Sequence, residues 1–315
     1  MIEQFIKDVH HGLSGDQKTL PSKYFYDQRG DNLFKKIMDL PEYYLTRAEL
    51  DIFQNQTEHI INCLELDQGT YFELIELGAG DGIKTKELLK ALQQDNYTFD
   101  FIPVDISQNA LDQLDRSLKL ELPDLTVNKK QGDYFQILES LKDTHHPKVI
   151  LFLGSNIGNM DDKQAADFIY QLGANLQVND KLFLGVDLIK DEDIVLPAYN
   201  DKQGITKDFN LNLLQRINRE LDGDFCLNSF EHTPYYTKEE GIAKSFLTST
   251  KDQSVKISKT GDIYHFKKGE QIDTEISRKY NDEIINKILL HTDFEIDHKL
   301  MDSKGYFADY ILKRT

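Results

Sequence analysis

The stretch that decides the fold runs Tyr71-Phe72-Glu73-Leu74-Ile75-Glu76-Leu77-Gly78-Ala79-Gly80-Asp81-Gly82-Ile83-Lys84. A β-rich apolar run ends in the acid Glu76, and three glycines follow at the point where a helical pattern begins. Glycines in that place allow a tight turn and let backbone N–H groups approach a ligand closely. A dinucleotide fingerprint wants its third glycine at position 83, where this chain has Ile83, so the spacing argues against NAD or FAD. An acid closing the strand suits a ligand with positive charge better than a pyrophosphate. The plain alternative is a structural glycine turn with no ligand.

Working outward, short apolar runs alternate with amphipathic stretches from about residue 71 to 190, as in a parallel sheet covered by helices. The expected strands are Tyr71–Leu77, Phe99–Val104, Leu125–Lys130, Lys148–Leu153 and Lys181–Val186. Between them Lys84–Leu92, Ser107–Leu118 and Asp162–Leu176 carry apolar residues at three- and four-residue spacing. Ser107, and Asp161 or Asp162, read as helix N-caps. Residues 190–279 break the alternation with a helix over Gly204–Leu221 and short strands such as Ser245–Ser249 and Ile263–Phe266. The pattern then returns as a helix over Asn281–His291 and a hairpin of Phe294–Met301 and Tyr306–Leu312. The expected fold class is therefore a doubly wound α/β sheet ending in an antiparallel hairpin, with a smaller α+β lobe. Residues 52–189 and 280–315 form the sheet domain; residues 1–51, with no strand pattern, and 190–279 form the second lobe.

Composition narrows the function. With 54 acidic against 37 basic residues, the formal charge is -17, which repels phosphate-covered partners and disfavours nucleic acid. The 15 Tyr and 18 Phe are too many for a disordered chain. Cys63 and Cys226 stand far apart in no ligand spacing, which points to a reducing, cytoplasmic setting. No leader pattern or long apolar run appears, so no membrane span is expected. The pairs His10-His11 and His145-His146 lie outside any metal-binding spacing, and no metal is expected.

Further acids extend the glycine-turn reading. Asp105 closes the second strand, where a carboxylate accepts hydrogen bonds from both hydroxyls of a ribose. Asp133-Tyr134 follows the third, placed to bond an adenine amino group and line its face. Each acid alone is more often a cap or turn former, but together at neighbouring strand tips they describe a nucleoside crevice. S-adenosylmethionine, with an ammonium and a sulfonium, is the ligand this pattern suits. The loop Leu153-Gly154-Ser155-Asn156-Ile157-Gly158-Asn159 after the fourth strand opens on the same crevice and is a candidate to hold an acceptor.

Tyr24-Phe25-Tyr26-Asp27, Leu40–Glu49, the glycine turn, Gly154–Asn159 and Thr274-Glu275-Ile276-Ser277 together resemble the histidine-specific Nα-methyltransferase family of ergothioneine biosynthesis, in the same order over nearly the whole chain. The resemblance implies a Rossmann-like class I methyltransferase sheet and a cytoplasmic enzyme. It implies donor binding by Tyr26, Gly78, Lys84, Asp105, Asp133 and Tyr134, beside the Glu76 and Gly80 of the glycine turn. For the acceptor amino acid it implies Tyr43, Asn159 and Tyr199 at the amino and carboxylate groups, and Glu275 and Ser277 at the imidazole. Tyr43 and Asn159 are the expected catalytic pair, orienting the amine toward the methyl. Core packing is the ordinary role for such tyrosines. Around Ala243-Lys244-Ser245-Phe246 the chain departs from the family's Met and bulky aromatic, and a Lys244 facing the pocket would pair with Glu275. L-histidine going to its trimethylated betaine is the expected reaction, on a monomer with a small-molecule partner. The alternatives are the same chemistry on another amino acid, or a non-catalytic module sensing an adenosyl ligand or amino acid.

Overall fold

The computed structural model describes residues 2–132, 134–140, 142 and 144–315. The chain divides into two compact units, one made of residues up to Tyr44 with Lys190–Ser277, the other of Leu45–Ile189 with Arg278–Thr315.

The second unit is built on strands β1 (Phe72–Leu77), β2 (Phe99–Asp105), β3 (Lys130–Gln131), β4 (Lys148–Phe152), β5 (Lys181–Asp187), β6 (Phe294–Met301) and β7 (Phe307–Arg314). Their order across the sheet is 3-2-1-4-5-7-6. β1 pairs in parallel with β2 and β4, and β4 with β5, while β7 runs antiparallel to both β5 and β6. The order reverses direction at β1 and β4, which puts the crevice of an open sheet beyond the carboxyl ends of these strands.

The period-two alternation of side chains explains why both faces need covering. In β1, Phe72 and Leu74 pack into one core, Ile75 and Leu77 into the other. The first core is closed by the helices Leu45–Leu64, Thr85–Gln94 and Gln108–Glu121, the second by Asp162–Gly173 and Asp282–Leu289. Ser107, Asp161 and Asn281 each accept a backbone N–H across the first turn of their helices, Asp161 within a reciprocal capping box with Gln164.

Two sequence expectations change here. Leu125–Lys130 is not a continuous strand. Phe101 N–H bonds Thr126 O and Asn128 N–H bonds Phe101 O, but regular pairing begins only at Lys130. The run Asn128-Lys129-Lys130 has little apolar surface to hold an edge strand flat. The domain boundary placed after residue 51 falls inside the helix Leu45–Leu64, whose buried stripe of Ala48, Ile52, Phe53, Ile60 and Ile61 belongs to the sheet core.

The first unit packs a third core. The helix Ile205–Leu221 contributes Phe209, Leu213, Leu214 and Ile217, and Ile2–Ser14 contributes Phe5, Val9 and Leu13. A sheet ordered Lys18–Thr19, Gln271–Arg278, Ile242–Ser249, Phe230–Tyr235 lies with them, alongside the hairpin Gln253–Ile257 and Asp262–Phe266. Lys18–Thr19 is a strand where none was expected: two residues are too short to show alternation. They pair in parallel with Ile272 and Asp273.

Leu184 of β5 is wholly buried, whereas Leu120 is 85% exposed on its helix. Leu184→Ala is expected to lower stability by about 2–5 kcal/mol, and Leu120→Ala by less than about 0.5 kcal/mol. Urea unfolding followed by circular dichroism checks both, and equal losses would contradict this packing.

Candidate active site

At the tip of β1 the chain turns back on β2. Gly78 and Ala79 both donate to Val104 O, at 2.8 and 3.2 Å, and Gly80 N–H donates to the Asp105 carboxylate at 3.2 Å. The turn needs positive φ at Gly78, Gly80 and Gly82, a region closed to most side chains. Gly78 is also a point of close approach. A Cβ there would lie 2.9 Å from the Asn156 amide nitrogen and 2.9 Å from the Tyr134 hydroxyl. The β1 turn, the loop after β4 and the start of the helix Tyr134–Ser140 after β3 therefore converge. Around Gly80, by contrast, a Cβ would meet nothing within 4 Å.

Asp105 accepts from Ser107 N–H at 2.8 Å as well as from Gly80. Burial raises its carboxyl above the ordinary value, and these backbone donors pull the other way. Ile106, next in sequence, and Ile83, at the end of the glycine turn, stand 46% and 43% exposed. The Tyr134 ring packs edge-on against Phe152 and Phe168, with centroids 5.9 and 6.4 Å away. Asp133, the expected adenine partner, lies outside the described residues.

Glu76 does not face the crevice as an open carboxylate. It is 3% exposed, Oε1 accepts from Thr85 Oγ1 at 2.7 Å, and Oε2 finds no hydrogen-bond partner among the described residues. Burial pushes its pKa up to about 8. The same burial that raises it disfavours the charged form, which weakens any charge attraction to a cationic ligand. Lys84 begins the following helix with its ammonium in an ion pair with Glu49 of Leu45–Leu64. Both Glu49 oxygens also accept Gly154 N–H at 2.9 Å. Sequence reasoning missed Glu49 as a site residue. The signal was an acid three and four positions before Ile52 and Phe53, on the buried stripe of a helix.

The loop after β4 is fixed from a second direction. Ser155, with a left-handed φ of 56°, accepts Asp187 N–H on its hydroxyl at 3.0 Å, and Asp187 forms a fully buried ion pair with Lys279 at 2.8 Å. Tyr280 OH donates to Ile157 O at 3.2 Å. Asn159 closes the short turn Asn156–Asn159 and is exposed.

In the first unit, Tyr199 OH donates to Ser277 Oγ at 2.8 Å, and Ser245 Oγ to Glu275 at 3.0 Å. Thr274 Oγ1 bonds Asn210 and Ser245 O, tying the strand that carries Glu275 to its neighbour. Tyr26 and Tyr43 each set an edge against Phe34, with centroids 5.7 and 6.2 Å away. The condition for a Lys244–Glu275 pair, a Lys244 facing the pocket, is not met. Lys244 pairs with Glu240 at 2.8 Å, because alternation along Ile242–Ser249 turns it to the face opposite the buried Ala243, Ser245 and Leu247. A separate cleft of about 480 Å³, lined by Gln28, Arg29, Asn32, Leu33, Lys36 and Asp208, contains none of the residues singled out from the sequence. Among the described residues no group of His, Cys, Asp or Glu is arranged to hold a metal, and no helix is long and apolar enough to cross a membrane.

A glycine cradle, open space at Gly80, an acid at the next strand tip and flanking apolar side chains fit the adenosyl group and amino-acid tail of S-adenosylmethionine. Together with the 3-2-1-4-5-7-6 sheet they define an S-adenosylmethionine-dependent methyltransferase. The chain belongs to the family of histidine-specific, SAM-dependent methyltransferases, which it matches over residues 5–314. It is 34% identical over 306 residues to the histidine N-alpha-methyltransferase of Mycolicibacterium smegmatis, covering 97% of this chain and 94% of that one. It is 33% identical over 279 residues to the same-named protein of Mycobacterium tuberculosis, covering 89% and 85%. The L-tryptophan methyltransferase trpM of Psilocybe serbica is 26% identical over 315 residues, covering 92% and 87%.

Glu76 generates a prediction. Its pKa is 4.5 in an unfolded chain and about 8 in the fold, so the folded state holds a proton that the unfolded state releases. That contribution is fully present below pH 4.5 and is lost as pH rises through about 8. Glu76→Gln keeps an acceptor for Thr85 and cannot ionise. Its stability relative to the unmodified protein should rise across that window, by up to about 1.4 kcal/mol per pKa unit, and then level off. Urea unfolding at a series of pH values checks this, and a difference independent of pH would refute it.

Proposed function

We propose that this S-adenosylmethionine-dependent N-methyltransferase acts on the α-amino group of L-histidine and carries it to the trimethylated betaine hercynine, in the cytoplasm. The observation that carries the reading is the 34% identity, over 97% of the chain, to a protein named for histidine Nα-methylation. The Glu275–Ser245 and Tyr199–Ser277 pairs support it. A carboxylate held by a hydroxyl, beside a second hydroxyl pair, offers acceptors and donors for an imidazole and for a zwitterionic amino acid.

The donor supplies an electrophilic methyl on a positively charged sulfur. Gly78, Gly80, Asp105 and Tyr134 are the residues we assign to its adenosyl and amino-acid portions, and Lys84 and Tyr26 are assigned to the donor as well; Asp133 keeps its proposed place at the adenine. The protein's task is to present a neutral amine with its lone pair aimed at the methyl and to keep water away. We assign the orientation of the amine to Tyr43 and Asn159, the carboxylate to Tyr199, and the imidazole to Glu275 and Ser277. Solvent or Tyr43 takes the proton that the ammonium must lose before each transfer.

A second reading, the same chemistry on an aromatic amino acid, is favoured by the small Ser245 beside Glu275 and by the relative named an L-tryptophan methyltransferase. A competition assay among amino acids separates the two.

Mass spectrometry of L-histidine incubated with the protein and S-adenosylmethionine should show gains of one, two and three methyl groups, and the absence of any gain removes histidine. Asn159→Ala should reduce turnover by on the order of 10–100-fold while donor affinity changes little. Equal losses in both would sink the assignment.

A further inference from the structure

Buried charged groups cluster around Lys84, just after the glycine turn. Glu49 is wholly buried and serves two partners, the Lys84 ammonium and the Gly154 amide. Asp309 of β7 is also wholly buried, and neither of its oxygens finds a nitrogen or hydroxyl donor among the described residues. The two carboxyl groups meet over Gly185 of β5. A Cβ at that position would run into Glu49 Oε1 and lie 3.0 Å from Asp309 Oδ1. Only a residue with no side chain leaves room for both.

Two carboxylates so close and so dry cannot both be charged. The charged groups that face Asp309 are Glu49 from Leu45–Leu64, Lys84 from the start of Thr85–Gln94, and Asp302 from the turn between β6 and β7. Glu76 of β1 faces Lys84 from its other side. One cation cannot balance two buried carboxylates, and Asp309, which has no donor of its own among the described residues, is the one that fits as a neutral acid with its O–H turned to Glu49. The direction of its shift agrees, since burial and the Glu49 charge both hold the Asp309 carboxyl well above the usual carboxylate range.

We propose that Glu49 and Asp309 form a proton-sharing acid pair that positions the Lys84 ammonium and the Gly154 amide for binding of the methyl donor. With the proton in place, the pair presents one negative charge, matched to one ammonium and one N–H. Loss of the proton to solvent adds a second negative charge beside Glu49, draws the ammonium out of register and loosens the Gly154 turn. Glu49 and Asp309 are thus positioning residues, acting through Lys84 and Gly154. The inference rests on the proposed role of Lys84 in donor binding.

The test uses the full chain and S-adenosylhomocysteine, with affinity measured by calorimetry from about pH 6.5 to about pH 9.5. The unmodified protein should weaken toward the alkaline end. Asp309→Asn, which replaces the shared proton by a permanent N–H, should flatten that decline. Asp309→Leu and Glu49→Gln should bind on the order of tenfold more weakly at neutral pH. Independently of any ligand, the infrared difference spectrum between the unmodified protein and Asp309→Asn should contain a protonated-carboxyl C=O stretch at neutral pH. Absence of that band, an alkaline decline unchanged in Asp309→Asn, or unweakened binding by Glu49→Gln overturns the proposal. If Glu49→Gln does not fold, the spectrum and the Asp309→Asn profile decide it. Failure of the unmodified protein to bind at any pH would instead reject donor binding at this turn, while the infrared band still reports on the acid pair.

Discussion

The geometry of the second unit depends on one carbonyl. Val104 O, at the tip of β2, accepts both Gly78 and Ala79 N–H and so folds the end of β1 across its neighbour. Once the turn is pinned there, Gly80 N–H falls against the Asp105 carboxylate, and the bare face of Gly78 leaves space for Asn156 and Tyr134. A side chain at 78 would have to occupy the volume these two fill, in a backbone conformation that L residues rarely adopt. The convergence of three strand tips is thus a steric consequence of glycine placement.

Two buried ion pairs bear on the loop after β4. Glu49, paired with Lys84, holds Gly154, Asp187, paired with Lys279, holds Ser155, and the Arg278 carbonyl lies so close to Gly158 that a Cβ there would sit 2.8 Å from it. Buried ion pairs contribute little net stability, because desolvation offsets their attraction, yet each is costly to break once formed. Their effect is to select one loop conformation, including the left-handed φ at Gly154 and Ser155, and to exclude others. Under the proposed function, precision in this loop serves the alignment of reacting groups more than overall stability.

Much of this was legible in the sequence because two periodicities carried it. Strand alternation and helical stripes located β1, β2, β4, β5 and the closing hairpin to within a residue or two, and Ser107 and Asp161 marked their helices correctly. What was not legible followed from tertiary surroundings. Glu76 reads as a charged strand tip until Thr85 and the surrounding core are known to bury it. Lys244 reads as a pocket residue until strand alternation is anchored by the buried Ser245. Glu49 looks like any helical acid, since its partners lie 35 and 105 residues away. The strand Lys18–Thr19 leaves no periodic trace at all.

The interleaved order of the chain bears on how it is made. The first unit joins residues up to Tyr44 to Lys190–Ser277, and the second sets β7, synthesised late, beside β5 in its sheet. A nascent chain leaving the ribosome therefore carries the helix Ile2–Ser14 long before the strand that Lys18–Thr19 joins, and a parallel sheet with an open edge at β5 until residue 307 emerges. Closing such loops late is slow, and apolar edges wait unpaired meanwhile. Protein yield in the cell should accordingly lean on chaperone capacity more than the finished fold's stability would suggest.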